Sequence, residues 1–199
     1  YCSSSASVHE DYRRLATELG FALGESGGGL VYGGGKLGLM GAVASACREA
    51  GGQTVGVITE RLKDAEQLDE ANDEVFIVPT MRERKRMMEE RADAFVILPG
   101  GLGTLEEFFE ILVGRLLGEH TKPIALVNCA DPVDRSPYYQ PLLEMFDHMA
   151  HNKFMHRGVL DLIDVCGDVP GVMALLDRWR DAGTGGLRDP DALLPGRLT

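Results

Sequence analysis

Residues 99–107 combine residue types that bind an anion and stabilise charge. Gly100, Gly101 and Gly103 lie in a turn that follows a short apolar run, and a helical pattern begins after Thr104. Glycines let a backbone approach a ligand closely, and the first turn of a helix presents unpaired amides at the positive end of its dipole. The turn is therefore predicted to bind a phosphate or a similar small anion.

Glu107 lies three residues after Thr104, and this spacing fits two roles. A threonine at a helix N-cap is often paired with a glutamate three residues later, whose carboxylate returns to the cap amide. Alternatively, the carboxylate stabilises positive charge on a substrate or activates a water molecule. The same oxygens cannot fill both roles at once, so spacing alone leaves the choice open.

A charged run upstream supplies candidate cations. Arg84 and Lys85 lie in a helical pattern at residues 81–91 in which acidic and basic residues are interspersed. Such a run is typical of a solvated helix face, and a functional role for these two residues is the alternative. The His148-x-x-His151 pair is typical of the surface near a helix end, so no metal site is predicted.

A second glycine-rich turn, at residues 33–38, matches the dinucleotide-binding fingerprint, with Glu60 at about the distance of a ribose-binding acid. However, this turn follows the second predicted strand rather than the first, which argues against a nicotinamide enzyme. The turn after Pro99 lacks the Gly-Lys-Ser/Thr ending of an ATPase phosphate loop, which argues against a nucleoside triphosphatase.

Apolar periodicity predicts alternating strands and helices around these turns. The predicted strands are 29–32, 54–59, 74–78, 94–98, 123–128 and 162–166, and residues 1–5 are predicted to hold the end of a further strand followed by a small polar turn. The predicted helices are 8–25, 40–50, 81–91, 105–117, 139–151 and 170–181. Such alternation predicts an α/β fold with three layers, a parallel sheet with helices on both faces. The charged loop at 60–73 is long enough to move over a site.

Ligands of this fold class bind beyond the carboxyl ends of the strands. Both glycine turns and the polar turn at residues 3–5 are expected to converge there. Ser3, Gly34 and Gly35 are therefore further candidates for substrate binding, together with Lys85 and the later glycine turn.

Length and composition fit one domain at residues 1–181 followed by a loose tail at 182–199. The 199 residues include 31 acidic and 20 basic side chains, and the resulting charge of −11 argues against nucleic acid as the main partner. No apolar run is long enough to predict a membrane span. Four widely spaced cysteines fit a reducing cytoplasm better than a disulfide framework.

Three segments together resemble the LONELY GUY family of nucleoside 5′-monophosphate phosphoribohydrolases, which activate cytokinins and were long labelled lysine decarboxylases. They are Val31-Tyr-Gly-Gly-Gly-x-x-Gly-Leu-Met-Gly41, Arg84-Lys85 within residues 81–87, and Pro99-Gly-Gly-x-Gly-Thr-x-x-Glu107. The resemblance implies a Rossmann-like fold, a homodimer or larger assembly, and hydrolysis of the N-glycosidic bond of an N6-substituted adenosine monophosphate.

The resemblance also implies roles for individual residues. Arg84 and Glu107 align with the family's catalytic pair, and the glycine turn from Gly100 to Thr104 aligns with its phosphate loop. No cofactor is expected. Three departures bear on base selectivity and subunit packing: Arg82 replaces a usual histidine, residues 114–116 replace a usual Trp-Ala-Gln, and residues 130–137 are extra.

Two alternatives remain at the level of sequence. A non-catalytic carrier of a nucleotide or molybdenum cofactor would need the glycine turns but not the pair of Arg84 and Glu107. An enzyme of the same chemistry could instead act on plain AMP.

Overall fold

The computed structural model describes residues 1–182, and strands alternate with helices through this part of the chain. Most of the predicted tail, residues 183–199, lies outside the described residues, while Ala182 closes the last helix. The helices are α1 (Glu10–Glu25), α2 (Gly38–Glu49), α3 (Met81–Arg91), α4 (Leu102–Leu116), α5 (Gln140–His151) and α6 (Val169–Ala182). The strands are β1 (Leu30–Tyr32), β2 (Thr54–Thr59), β3 (Glu74–Val78), β4 (Phe95–Ile97), β5 (Ile124–Val127) and β6 (Asp164–Cys166).

The chain divides into two compact units, the first of which contains residues 1–92 and 100–107. Its sheet is parallel in the order β1, β2, β3, with Val31 opposite Val55 and Val57 opposite Phe76. Helices α1 and α2 pack closely because α1 carries a glycine at the contact. A Cβ added to Gly20 would lie 2.3 Å from the carbonyl oxygen of Val43.

The second unit contains residues 93–99 and the described chain from 108 onward. Its sheet is parallel in the order β4, β5, β6. Strand β5 is buried along its whole length, as expected for the central strand of a parallel sheet. Trp179 and Leu175 of α6 pack against Ala125 of this strand.

The α/β class predicted from the sequence is confirmed by the two parallel sheets and their helices. Strands β2 and β3 and helix α3 have the predicted bounds. The strand end predicted within residues 1–5, before the polar turn, is wrong, because these residues form no strand. Among residues 1–182, no helix is both long and apolar enough to cross a membrane.

Candidate active site

Helix α4 begins inside the glycine turn, two residues before Thr104. The carbonyl oxygen of Gly101 accepts a hydrogen bond from the amide of Leu105 at 3.0 Å, which places Gly101 at the N-cap. The predicted N-cap at Thr104 is therefore wrong. Glu107 lies in the second turn of the helix, too far along to return to the cap amide, so the capping alternative for this carboxylate does not apply.

The three glycines of this turn lie in different surroundings. A Cβ added to Gly100 would lie 2.1 Å from Oγ1 of Thr104, which is itself buried. The chain's own packing therefore requires a glycine at position 100. A Cβ on Gly101 or on Gly103 would meet no atom within 4 Å, and both residues are exposed. Their backbone is open to an approaching ligand at a helix N-terminus, where amides lack partners within the helix.

Arg84 is buried, with 4% of its surface exposed, and does not belong to a solvated helix face. Helix α3 begins after an N-cap threonine, because Thr80 Oγ1 accepts a hydrogen bond from the amide of Glu83 and donates one to its carboxylate. One residue further along the helix, Arg84 points into the first unit. A buried guanidinium is tolerated only when its donors are paired.

Protein oxygens accept hydrogen bonds from one edge of the Arg84 guanidinium. Nε donates to the carbonyl oxygen of Val57 at 2.9 Å, and Nη2 donates to the carbonyl oxygen of Gly33 at 2.9 Å. Nη2 also lies 3.3 Å from Oε2 of Glu66. Nη1 contacts Sδ of Met81 at 3.8 Å, and a thioether is a weak acceptor.

The glycine turn after β1 makes room for this arginine and for the loop that follows β2. Gly34 has a φ of 77°, a conformation that favours glycine, and its carbonyl oxygen accepts a hydrogen bond from the amide of Asp69. A Cβ on Gly35 would lie 2.9 Å from the carbonyl oxygen of Glu66. Packing thus explains both glycines, which are buried, and a role for Gly34 and Gly35 in substrate binding stays a prediction.

Ser3 lies beside the start of α2. Its carbonyl oxygen accepts a hydrogen bond from the amide of Leu39 at 2.9 Å, and a Cβ on Gly38 would lie 2.6 Å from the same oxygen. The hydroxyl of Ser3 accepts from the amide of Ser5. The polar turn and the first glycine turn therefore meet as predicted, while substrate binding by Ser3 remains a prediction.

Lys85 forms an ion pair with Glu106 at the start of α4. The Lys85 side chain is 16% exposed and that of Glu106 is 54% exposed. This pair joins the charged helix α3 to the segment that carries the later glycine turn. A phosphate that binds Lys85 would therefore compete with the carboxylate of Glu106 for the lysine ammonium group, or share that group with it.

Glu107 is half-buried and lies within electrostatic reach of Arg84, Glu66 and Glu106. Burial raises the pKa of its carboxyl group above the ordinary value, and nearby carboxylates act in the same direction. The positive charge of Arg84 opposes this shift. The result is a carboxylate that is more basic than an ordinary glutamate and lies close to a fixed cation.

Sequence reasoning missed Glu66. It lies in the charged loop at 60–73, where the only signal was that the loop is long enough to cover a site. In the structure this loop is attached to the first glycine turn, because the amide of Lys36 donates to the carbonyl oxygens of Glu66 and Gln67. The Glu66 carboxylate is thereby brought to Arg84.

The hypothesis of a nicotinamide enzyme finds less support in the geometry. Glu60, which would bind the ribose in a dinucleotide enzyme, is exposed and paired with Lys63 at 2.9 Å. Within residues 1–182, no group of three or more His, Cys, Asp or Glu side chains is placed to hold a metal ion.

The parallel sheets, helices and glycine turns define a Rossmann-like α/β protein, and solved structures support this class. A molybdenum cofactor binding protein from the phototrophic bacterium Rippkaea orientalis matches with a TM-score of 0.64 at 20% identity, over 86% of this chain and 90% of that one. The molybdenum cofactor carrier protein of Chlamydomonas reinhardtii matches with a TM-score of 0.62 at 23% identity, over 87% and 91%. At these identities the likeness shows the fold alone.

Sequence comparison identifies the family. Residues 40–176 match a family model described as "Possible lysine decarboxylase". The chain is 38% identical to a cytokinin riboside 5′-monophosphate phosphoribohydrolase of Rhodococcoides fascians, over 88% of this chain and 86% of the relative. It is 48% identical to a protein of the same name from Mycobacterium tuberculosis, over 64% and 68%, and 42% identical to a probable one from Oryza sativa subsp. japonica, over 90% and 76%.

The chain belongs to this family, the cytokinin riboside 5′-monophosphate phosphoribohydrolases, whose sequence model carries the older lysine decarboxylase description. The resemblance to the LONELY GUY family is thus confirmed.

Proposed function

We propose that this protein hydrolyses the N-glycosidic bond of an adenosine 5′-monophosphate, N6-substituted or plain, and releases the free base and ribose 5-phosphate. The names of its relatives support this activity. The observation that carries it in the structure is that the half-buried Glu107 carboxylate lies within electrostatic reach of the guanidinium of Arg84, which is buried and held by backbone carbonyl oxygens. Both groups lie in the same unit as the open glycine turn.

The phosphate is held by the turn at Gly101 and Gly103 and the first turn of α4. Their exposed backbone lets phosphate oxygens reach the free amides of the helix, whose dipole also favours an anion. Thr104 and Gly100 shape this turn from behind, and Lys85 adds a positive charge. The phosphate group thereby fixes the ribose with respect to Glu107.

Glu107 acts on the anomeric carbon. As the bond from C1′ to the base nitrogen breaks, positive charge develops on the ribose, and the carboxylate stabilises this oxocarbenium-like state. The same carboxylate orients the attacking water and accepts its proton. The water oxygen forms the new bond to C1′, and the base leaves with the electron pair of the broken bond. The departing base takes up one proton from solvent, and Glu107 releases to solvent the proton that it accepted from the water.

Arg84 supplies fixed positive charge. A guanidinium stays protonated at any physiological pH, so Arg84 is not the proton donor for the departing base. Instead, Arg84 either stabilises the electron density that moves to the base or holds the ribose and phosphate in place. The protein fixes the Nε and Nη2 groups, which leaves Nη1, beside the weak acceptor of Met81, as the edge for the substrate.

A carrier function has weaker support. The named carriers and cofactor binding proteins are below 25% identical to this chain, whereas relatives named as phosphoribohydrolases are 38–48% identical. A carrier also gives no reason for a carboxylate of raised pKa beside a buried arginine.

Incubation with AMP and with N6-isopentenyl-AMP, each with and without a chelator, tests the proposal. Detection of free base and ribose 5-phosphate by chromatography is the expected result, and the chelator should leave the rate unchanged. Binding of the nucleotides without release of base from any monophosphate would favour the carrier.

We further propose that the protein is a homodimer. In the second unit, α4 and α5 meet through an edge contact between Phe109 and Phe146 at 5.9 Å. Apolar side chains beside this contact are exposed; they are Phe109, Val113, Leu117 and Met145. An exposed apolar face of this kind is typical of an interface. Light scattering should give the mass of a dimer, and Val113→Glu should shift it to that of a monomer.

A cytoplasmic protein that acts on small molecules, with neither nucleic acid nor membrane as a partner, fits this function. The net charge of −11 disfavours polyanions and anionic lipid surfaces. The four cysteines are free, as in a reducing compartment.

A further inference from the structure

The carboxylate of Glu66 is the acidic partner of Arg84. Its Oε2 lies 3.3 Å from Nη2, and the two side chains are 17% and 5% exposed. An ion pair shielded from water in this way is less screened than one on the surface. Burial raises the pKa of the Glu66 carboxyl group, and Arg84 opposes that rise. Glu66 therefore acts on Arg84 both as a hydrogen-bond acceptor and as a charge.

Backbone contacts fix the segment 66–69, which carries Glu66. The Glu66 carbonyl oxygen accepts a hydrogen bond from the amide of Lys36 at 3.1 Å. Leu68 forms an isolated antiparallel bridge with Gly35, and the amide of Asp69 donates to the carbonyl oxygen of Gly34 at 2.8 Å. The segment therefore runs along the first glycine turn like an added strand.

A buried ion pair anchors the far end of the segment. Asp69 is 4% exposed, and its Oδ2 lies 2.7 Å from Nη2 of Arg48. The hydroxyl of Tyr32 donates to the same oxygen at 3.3 Å, and Asn72 donates to that hydroxyl at 2.9 Å. With the segment held at residues 66, 68 and 69, the position of the Glu66 side chain is set by the fold.

We propose that Glu66 is a positioning residue of this site, one that holds the Arg84 guanidinium so that Nη2 is engaged by the protein and Nη1 is presented to the substrate. The inference rests on the proposed hydrolase function, because it assigns Glu66 a part in orienting Arg84 for that reaction. Glu66 acts through Arg84 and through its charge, and it is not assigned a bond to the substrate.

The charge of Glu66 also acts on Glu107. The pH dependence of the reaction is therefore a measurement that should change if Glu66 acts through its charge and should not change if its role is only structural. Among the described residues, the side chains whose charge or ionisation is coupled to Glu107 are those of Arg84, Glu106, Glu66 and Cys2. Burial is the main cause of the raised pKa of Glu107, and the negative charge of Glu66 adds to it. Removing that charge should lower the pKa of Glu107 and move the acid limb of kcat/KM to lower pH.

The test compares Glu66→Ala and Glu66→Gln with Glu70→Gln. Glu70 lies in the same loop and is exposed, so the control removes the same charge away from Arg84. Loss of a hydrogen bond to a charged group should lower kcat of Glu66→Ala by about tenfold to a hundredfold, with KM within about threefold of wild type. Glu66→Gln keeps an acceptor for Arg84 and should lose less activity, while its acid limb moves to lower pH. Glu70→Gln should match wild type in both respects.

The outcomes separate this inference from the function on which it rests. If wild type releases base, both Glu66 variants remain within about twofold of it and the acid limb does not move, the positioning role is overturned and the hydrolase function stands. If wild type releases no base from any monophosphate, both are overturned. If Glu66→Ala fails to fold, the pH profile of Glu66→Gln decides: an acid limb at lower pH supports the positioning role, and an unmoved limb overturns it.

Discussion

The Nη2 nitrogen of Arg84 lies 2.9 Å from the carbonyl oxygen of Gly33, and a Cβ added to that glycine would lie 2.2 Å from the same nitrogen. The first glycine turn thus makes room for a buried arginine of the candidate site. A Cβ at this position would also lie 2.9 Å from Sδ of Met40. Because both clashing atoms belong to the ends of long side chains, a larger residue at position 33 would move the guanidinium before it moved the backbone.

Gly33→Ala should therefore reduce activity more than stability. Displacement of Arg84 is expected to lower kcat/KM at least about tenfold, since a catalytic group misplaced by about 1 Å can cost a factor of a hundred. The stability loss should stay within the range of about 1–3 kcal/mol seen for overpacking. Gly29→Ala is the matched control, because its Cβ would meet only an ordinary contact at 3.5 Å. Equal activity of the two variants would show that Gly33 does not position Arg84.

Glu107→Gln should abolish most of the activity without loss of stability. The amide keeps the size of the side chain but removes the charge, so kcat should fall about a hundredfold or more. Burial raises the pKa of Glu107, so ionising this carboxyl group costs more free energy in the folded state than in the unfolded state. The neutral amide avoids this cost, and the melting temperature of the variant should be equal to or higher than that of wild type. Thermal unfolding and base release measure the two effects. Glu110→Gln, on an exposed position of the same helix, should resemble wild type in activity.

The pH dependence of kcat/KM should report the ionisation of Glu107. The proposed base is active when deprotonated, so activity should fall as the pH decreases through its pKa. Since burial raises that pKa, the acid limb should lie above the range of an ordinary glutamate. An acid limb that remains in place in Glu107→Gln, measured on its residual activity, would assign the limb to another group.

The glycines of the later turn should separate ligand binding from folding. Gly101→Ala places a Cβ where the chain has no atom within 4 Å, so the fold should persist while the bound phosphate is obstructed and KM rises. Gly100→Ala would place its Cβ 2.1 Å from Oγ1 of Thr104 and should lower the melting temperature. A Gly101→Ala variant with unchanged KM and kcat would show that no ligand approaches the turn there.

The sequence predicted the elements of this fold well because the apolar runs and the capping residues agree along most of the chain. Helix α3 illustrates this agreement, since its predicted bounds are those of the structure, where Thr80 caps the amide of Glu83. The start of α4 was misjudged because glycines disfavour helices, yet Gly103 lies within the first turn of the helix.

The site was predicted in part. Arg84, Lys85 and Glu107 were proposed as candidates from motifs, but motif spacing cannot show that Arg84 is buried or that Lys85 pairs with Glu106. Glu66 carried no local signal, because its contact with Arg84 depends on how a loop pairs with a distant glycine turn. Tertiary pairing of this kind is not encoded in periodicity.

We propose that the glycine turn at the start of α4 binds the 5′-phosphate and that this contact positions the ribose. Two or more charge-assisted hydrogen bonds, each contributing about 1.5–3 kcal/mol, correspond to at least about a hundredfold in kcat/KM. Because the phosphate is remote from the bond that breaks, its removal should lower kcat as well as affinity. The decisive measurement is kcat/KM for the nucleoside, the 5′-monophosphate and the 5′-triphosphate of one base. The kcat/KM of the monophosphate should exceed that of the nucleoside by about a hundredfold or more and should also exceed that of the triphosphate. Equal kcat/KM values for all three would show that the glycine turn does not bind the phosphate.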